Sequence, residues 1–489
     1  MKKRWIFAGL ALIVALGVGL WLWPRAPEAS KASAALLAAS EGLDEITIQA
    51  ALDAEGRQLS VTQTLTLQNR AGQRLDAAVL RAWPNAFQSE ETSPCAADLY
   101  EACYPGGFSA GALLLERARV NGEPVITRYR DDAQTVLTVP IPGGWEAGAQ
   151  ATLTLEYRVL IPECAYRFGV WDGVFSLGNV FAVPAVWEDG AFREDAYASV
   201  GDPFVSDCAN YHVSLEVPRG FECVGSSTPV WEDETHVRFD ALAARDFALV
   251  LGRGLEVARD TRDGVTVLAC ARDGATARRL LLYAQKALRC FSERYGAYAY
   301  PAYTVAQTPL ALDGMEHTAL SMIGASPAEK GGRALEYAVA HETAHQWWYA
   351  AVGSDSVYQP WQDEALCEFS LLEYAETVYG RGEREDLEAT RVEPALRVTV
   401  PRGVTPGSPL SAFGTLSEYA LVVYARGAAC FCALDRTVEG GLDGFLRDYY
   451  AAFAFGRASR ADFEAQLARS TGEDLTPLLR DYLDTHLLN

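Results

Sequence analysis

His341-Glu342-Thr343-Ala344-His345 sets two imidazoles four residues apart with a glutamate directly after the first. On a helix, residues four apart share a face, so both rings can meet one ion. Glu342 lies one step round, where its carboxylate reaches a water in preference to the metal. The chain has only six histidines, and His317, His341 and His345 fall close together. Eighteen residues separate His345 from Glu364, which opens a second predicted helix just past Pro360 and Trp361. Two histidines and one glutamate with an open fourth position form a catalytic zinc arrangement, not a structural one. The donor set favours zinc, although the geometry also admits cobalt or manganese. The chemistry expected of such a site is hydrolysis by a zinc-activated water whose proton Glu342 takes and passes on.

Those ligands need rigid elements behind them. Hydrophobic residues at helical spacing begin near residue 275, where Leu280, Leu281, Ala284, Ala287, Leu288 and Phe291 mark one helix face. Further helices are predicted over about 333–350, 362–380, 417–438 and 461–470. Upstream the period is two: Ile46 and Ile48, Val61, Leu65 and Leu67, Leu153 to Val159, Val213 to Val217, and Val237 and Phe239 alternate with polar neighbours. Such segments, punctuated by Gly and Pro, predict an antiparallel β domain from about Asp44 to Gly252.

The net charge is −22, which argues against nucleic acid as a partner and against docking on anionic lipid. The N-terminus differs from the rest. Lys2, Lys3 and Arg4 precede an uncharged apolar run from Trp5 to Trp23, followed by Arg25. Nineteen helical residues span roughly 28 Å, close to a hydrocarbon core. The basic flank and the terminal tryptophans fit an anchor with its N-terminus in the cytoplasm. A cleaved signal is the competing reading, since Ala32-Ser33-Ala34 offers a small-residue cleavage pattern. Either way the body is expected outside the cytoplasm, membrane-anchored or secreted. The Ala-, Ser- and Pro-rich stretch that follows reads as a stalk. The expected division is 1–24 anchor or signal, 25–43 stalk, 44–253 β-rich domain and 254–489 catalytic domain. Ten cysteines occur without a C-x-x-C pair; Cys95 and Cys103 flank a candidate stapled loop, and Cys430 and Cys432 read as small core residues.

The stretch Val339-Ala340-His341-Glu342-Thr343-Ala344-His345-Gln346-Trp347-Trp348 resembles the zinc helix of the aminopeptidase N-like gluzincin family. Asp355 to Phe369, with Trp361-Gln362-Asp363-Glu364-Ala365, is similar to that family's second ligand helix, and the spacer matches as well. Asp313-Gly314-Met315-Glu316-His317 stands where the family carries its G-A-M-E-N exopeptidase motif. Tyr424-Ala425-Arg426-Gly427 resembles the family's Tyr-x-Lys-Gly segment. The similarity covers about residues 270–489, with a weaker echo at Asp202 to Pro218.

The resemblance implies a multidomain α+β chain: a saddle-like antiparallel sheet domain, then a mainly helical, thermolysin-like zinc peptidase domain. It implies one zinc per chain on His341, His345 and Glu364, with Glu342 as general base. Tyr424 would donate to the oxyanion of the tetrahedral intermediate, with Tyr419 as the competing candidate. Glu316 would grip the substrate's α-ammonium, and Gly314 and Met315 would lie along its backbone. Three departures stand out. His317 replaces the motif's Asn, and either touches substrate or braces the scaffold. The amine anchor that the family takes from its β domain is missing from Phe175-Ser176-Leu177-Gly178-Asn179. The chain ends 65 residues after Tyr424, without the large helical domain of the family's long members, so a more open site is expected. Glu368 is a candidate partner for a ligating histidine.

The function expected from these features is a zinc aminopeptidase acting on peptides. A zinc endopeptidase on the same site is the alternative, and a non-catalytic peptide-binding scaffold is another.

Overall fold

The computed structural model describes residues 33–400 and 403–485, so the apolar run Trp5–Trp23, read as anchor or signal, lies outside the described residues. Among the described residues no helix is long and apolar enough to cross a membrane. Part of the expected stalk is ordered instead. Ala34–Ser40 forms a helix whose N-cap Ser33 accepts from the Leu36 amide, and Leu36 is buried. Alanine favours helix, and Ser33 supplies the cap that lets so short a segment start.

The alternating segments fold as predicted into strands, and the alternation becomes a division between core and solvent. In Asp44–Asp53 and Gln58–Gln68 every second residue is buried, including Ile46, Ile48, Leu59, Leu65 and Leu67. These strands, with Ala112–Val120, Gln150–Leu160, Ala209–Glu216 and His236–Ala244, build most of an eight-stranded sheet. The sheet is not purely antiparallel: Asp44–Ala51 runs parallel to Ala209–Glu216. That pairing joins segments about 165 residues apart, and strand period carries no information on direction. Two four-stranded sheets and a two-stranded hairpin complete this region, Phe168–Trp171 and Val174–Leu177 lying in one of the four-stranded sheets.

A five-stranded mixed sheet follows, which the sequence period did not suggest: Glu256–Arg262, Val265–Ala271, Ala302–Gln307, Leu320–Ile323 and Gly314–His317 in spatial order. Its last two strands have four residues each, too short for a period to register. Gly314–His317 is the edge strand, paired only with Leu320–Ile323 among the described residues. Helix Gly274–Tyr295 packs beside this sheet, capped by Asp273, whose carboxylate accepts from the Ala275 and Thr276 amides at 2.9 Å. Its buried face holds Leu280, Ala284, Ala287, Leu288 and Phe291.

The helical core forms around Gly332–His345, Glu364–Tyr379 and Gly427–Thr437, with Trp347, Trp348, Trp361 and Phe431 buried between them. Cys430 and Cys432 sit in this core. Cys95 and Cys103, the expected staple, are instead free thiols. Both are buried beside Cys164.

Arg245 binds the sheets to the helical region. Its guanidinium donates to the carbonyls of Ser206, Tyr349 and Ala351. The next residue, Asp246, accepts from the Thr318 amide at 2.7 Å and from the Tyr349 hydroxyl at 3.2 Å.

Candidate active site

Helix Gly332–His345 carries both imidazoles on its buried face, and Glu364 is the first residue of the facing helix. The Nε2 atoms of His341 and His345 lie 3.3 Å apart. Glu364 Oε2 is 3.4 Å from each. A tetrahedral ion with bonds of about 2.0–2.1 Å holds its ligand atoms roughly 3.3–3.4 Å apart, so the three donors already form one face of such a tetrahedron.

Their outer partners agree. His345 Nδ1 pairs with Asp363 Oδ1 at 2.7 Å, and His341 Nδ1 is 3.3 Å from Glu368 Oε2. The Asp363 carboxylate on His345 Nδ1 fixes the tautomer that turns that ring's Nε2 lone pair inward, while Glu368 stands beside His341 Nδ1 without a formed hydrogen bond. Two lone pairs and a carboxylate oxygen converging in a buried space repel one another unless a cation sits between them. Glu364 Oε2 has no hydrogen-bond partner among the described residues. The donor set therefore fits zinc.

Glu368, half legible in sequence, is buried and held by Arg391, which donates from Nε at 2.6 Å and Nη2 at 3.0 Å. The turn after His345 is a wide π-helical one over Gln346–Ala351. A second π-helical turn, Ala420–Arg426, contains Tyr424. Such turns re-aim side chains and recur at functional sites. The Tyr424 ring stacks on His341 at a centroid distance of 5.5 Å and an interplanar angle of 11°, which brings its hydroxyl to the carboxylate of Glu364. Tyr419 is fully buried and packs edge-on against Tyr424.

Gly314, Met315 and Glu316 form the edge strand beside the zinc helix. A Cβ on Gly314 would lie 2.0 Å from Glu342 Oε1, so the strand passes over that carboxylate, and the alanine of the G-A-M-E-N motif at this position would require the Glu342 side chain to shift. Met315 is buried and packs into the β-side core. Glu316 is buried, and its carboxylate groups with those of Glu342 and the imidazole of His345, their ligand atoms all within 4.8 Å of one another. Oε1 of Glu316 and Oε2 of Glu342 have no hydrogen-bond partner among the described residues. Burial pushes the Glu342 carboxyl up to about 7, against the pull of His345 and His341. Burial likewise raises Glu316 well above the usual carboxylate range, with Asp202, Asp363 and Glu364 adding to the effect and His345 opposing it. A zinc ion held by His341, His345 and Glu364 would supply positive charge to this acidic pocket.

The residue that sequence reasoning missed is Asp202. It comes from the β region and lines the same cleft as Glu316, Glu342 and Glu364. Its carboxylate pairs with the buried guanidinium of Arg167. It lies at the head of the Asp202–Pro218 stretch that resembled the family, and that echo was the available signal. His317, in contrast, points away from the cleft chemistry. It is fully buried, its Nδ1 meets Asp246, and its carbonyl accepts from Gln346. The cleft holds about 620 Å³.

Residues 282–482 match the Peptidase family M1 domain. No curated protein matches the chain. Among solved structures, an M1 zinc metallopeptidase from Deinococcus radiodurans is similar over 90% of this chain and 93% of its own, at 19% identity and a TM-score of 0.61. A glutamate-to-alanine mutant of an M1 zinc metallopeptidase from that organism, bound to a Tyr-Ser-Ala substrate, matches equally well. A two-domain M1 zinc metallopeptidase mutant bound to L-arginine matches over 91% of this chain and 94% of its own, at 18% identity and a TM-score of 0.61. These likenesses carry the fold, and the domain match over the His341–His345–Glu364 cluster carries the chemistry: residues 282–482 are a peptidase family M1 domain, and the chain is a zinc metallopeptidase.

Proposed function

We propose that the chain is an aminopeptidase that removes N-terminal residues from peptides. One observation carries the reading: Glu316, buried and with an unpartnered carboxylate oxygen, stands in the same cluster as Glu342 and His345. A peptide laid along the free side of edge strand Gly314–His317 can add a strand to the sheet through main-chain hydrogen bonds. Its ammonium then meets Glu316, with Asp202 as the second acid at that end. An ammonium–carboxylate pair out of water is strong and directional. It stops the chain one residue short of the metal ligands, which converts a peptidase into an exopeptidase. Asp202 fills the role left vacant by the residues around Phe175–Asn179.

Zinc, when bound by His341, His345 and Glu364, polarises the scissile carbonyl and acidifies water. Glu342 takes the proton from the attacking water and gives it to the departing amine, one carboxylate within reach of both serving first as base and then as acid. Tyr424 donates a hydrogen bond to the oxygen on which charge develops. Asp363 holds the His345 imidazole in register, and Glu368 stands beside that of His341.

The test compares a peptide with its N-acetylated form. Cleavage is expected only with the free amine, releasing single amino acids; equal cleavage of both, or internal cuts, sinks the reading in favour of an endopeptidase. We further propose that the body works outside the cytoplasm, behind the basic and apolar segment Lys2–Trp23. Protease added to intact cells should then digest it, and protection would place it inside.

A further inference from the structure

Three thiols stand together behind the wall of the active-site cleft. Cys95, Cys103 and Cys164 are all buried, and the sulfur of Cys95 hydrogen-bonds to both of the others. The backbone holds the group in place: the Ala165 amide donates to the Cys103 carbonyl at 2.7 Å, and the Cys103 amide donates to the Leu99 carbonyl at 3.0 Å. Ser93 and Tyr104 also hydrogen-bond to Cys95, and their hydroxyls lie 3.2 Å apart. Burial opposes charge on Cys95, but these hydrogen bonds outweigh it and hold the thiol well below its usual range. Cys103 and Cys164 are pushed the other way, Cys103 chiefly by its hydrogen bond to Cys95 and Cys164 chiefly by burial. One sulfur with thiolate character thus faces two protonated thiols, the arrangement that thiol–disulfide exchange uses. Cys95 is also the least enclosed, 5% exposed against 0% for Cys103 and 1% for Cys164.

The cluster joins two segments that both continue into the cleft. Ala96 and Leu99 line it from the Cys95 segment, Tyr166 and Arg167 from the Cys164 segment. Asp98 accepts from the Leu416 and Ser417 amides at 3.0 and 3.1 Å, which ties the first segment to helix Leu416–Tyr419 and the turn that carries Tyr424. On the second segment, Arg167 grips Asp202.

We propose that Cys95, Cys103 and Cys164 form a thiol–disulfide site that takes an external disulfide as its oxidant, and that its product is a Cys95–Cys164 bond cross-linking the two segments of the cleft wall. The Cys95 sulfur attacks one sulfur of the external disulfide, whose S–S bond breaks and releases one thiolate. The Cys164 thiol passes its proton to that thiolate and attacks the Cys95 sulfur, expelling the second thiolate, which takes the proton that Cys95 gave up. The protein loses two electrons and two protons, and the external disulfide is reduced to two thiols. Cys103, on the same short segment as Cys95 and fixed at the end of helix Tyr100–Cys103, keeps its proton and acts as the hydrogen-bond donor that makes Cys95 a nucleophile. The setting proposed above, outside the cytoplasm, is where such bonds form and persist. The inference is independent of the aminopeptidase reading, since it uses none of the groups assigned to substrate or zinc.

The experiment starts from zinc-loaded protein reduced with a phosphine, freed of it, and held at neutral pH in a mixture of oxidised and reduced glutathione. Thiols are counted in denaturant, and cross-linked peptides are identified by mass spectrometry without reduction. Wild type should fall from ten thiols to eight and give a Cys95–Cys164 peptide. Cys103→Ser keeps a hydroxyl donor to Cys95 and should lose two thiols as well, whereas Cys95→Ser and Cys164→Ser should lose none. Oxidation should raise the thermal midpoint of wild type by about 5 °C, the size of a cross-link over a long loop, and leave that of Cys95→Ser where it was. Ten thiols retained in wild type, or a bond mapped between Cys95 and Cys103, overturns the inference. So does glutathione left on Cys95 as a mixed disulfide, because Cys164 then fails to resolve it. A Cys95–Cys164 bond that leaves the midpoint unmoved overturns the bracing of the cleft wall. The wild-type peptide map decides the matter even where a serine variant fails to fold.

Discussion

Asp363 precedes the metal ligand Glu364 and holds Nδ1 of the other helix's ligand, His345, at 2.7 Å. Adjacent carboxylates thus serve one ion in two ways, Glu364 directly and Asp363 through an imidazole. Both are buried and reach the zinc helix from the same turn, so the pair also sets the distance between the two ligand helices. Asp363→Ala should leave three ligands in place but free the His345 ring to rotate and to change tautomer. Losing such an outer partner typically costs about 10–100-fold in metal affinity. Competition with a chelator should show this loss; unchanged zinc affinity would mean that packing alone orients His345.

The two tyrosines of the π-helical region are separable. Both line the cleft, but Tyr424 stacks on His341, whereas Tyr419 is almost wholly buried and packs edge-on against Tyr424. Tyr424→Phe keeps the stacked ring and deletes only the donor, so kcat should fall by about 10²–10³ with KM little changed. Tyr419→Phe should retain turnover within about threefold. The reverse order in steady-state kinetics would reassign the oxyanion donor to Tyr419.

How much of this was legible in the sequence follows from how local each signal is. His341, Glu342 and His345 lie within one and a half turns of a helix, so spacing alone places them on one side. Glu364 needs only the start of the next helix. Asp363 stood in plain view, yet nothing in a run of Asp then Glu says which carboxylate takes the metal and which the imidazole. Asp202 lies more than a hundred residues upstream in a loop with no period, and only the folding of the sheets onto the helical region brings it to Glu316. The parallel pairing of Asp44–Ala51 with Ala209–Glu216 is hidden for the same reason. The edge strand was visible as a motif but not as a strand, because four residues carry no period. The helix Ala34–Ser40 was masked by composition, since Ala and Ser serve stalks and helices alike.

Gly314 offers a test of that edge strand. Its missing Cβ leaves room for the Glu342 carboxylate, which a methyl group would approach to 2.0 Å. Gly314→Ala must displace either the strand or Glu342. The crowded atoms are the far end of the Glu342 side chain, so the displacement falls on the base itself rather than on folding. Misplacing a base by about 1 Å costs on the order of 100-fold. We expect kcat/KM to drop by that order while zinc content and the thermal midpoint change little. Full activity in Gly314→Ala would show that the strand can move away from Glu342 freely.

Asp246 ties the sheets to the helical region and makes that junction sensitive to acid. Burial alone would raise its carboxyl; the His317 ring and hydrogen bonds from Thr318 outweigh burial and hold it below the ordinary aspartate value. A carboxyl whose folded-state pKa is depressed contributes stability that is complete above its unfolded pKa, about 4, and is lost as pH falls through the folded value. Asp246→Asn keeps the shape and removes the charge, leaving His317, the Thr318 amide and the Tyr349 hydroxyl with a poorer acceptor. Above about pH 5 the variant should be less stable by roughly 1–3 kcal/mol. Below about pH 4 the unfolded chain takes up a proton here that the folded protein resists, so the gap should narrow progressively until the pH reaches the depressed folded value. Urea unfolding of both proteins at a series of pH values reads this directly. A gap that stays constant down to pH 3 would show that Asp246 acts by shape and hydrogen-bond geometry, with no contribution from its charge.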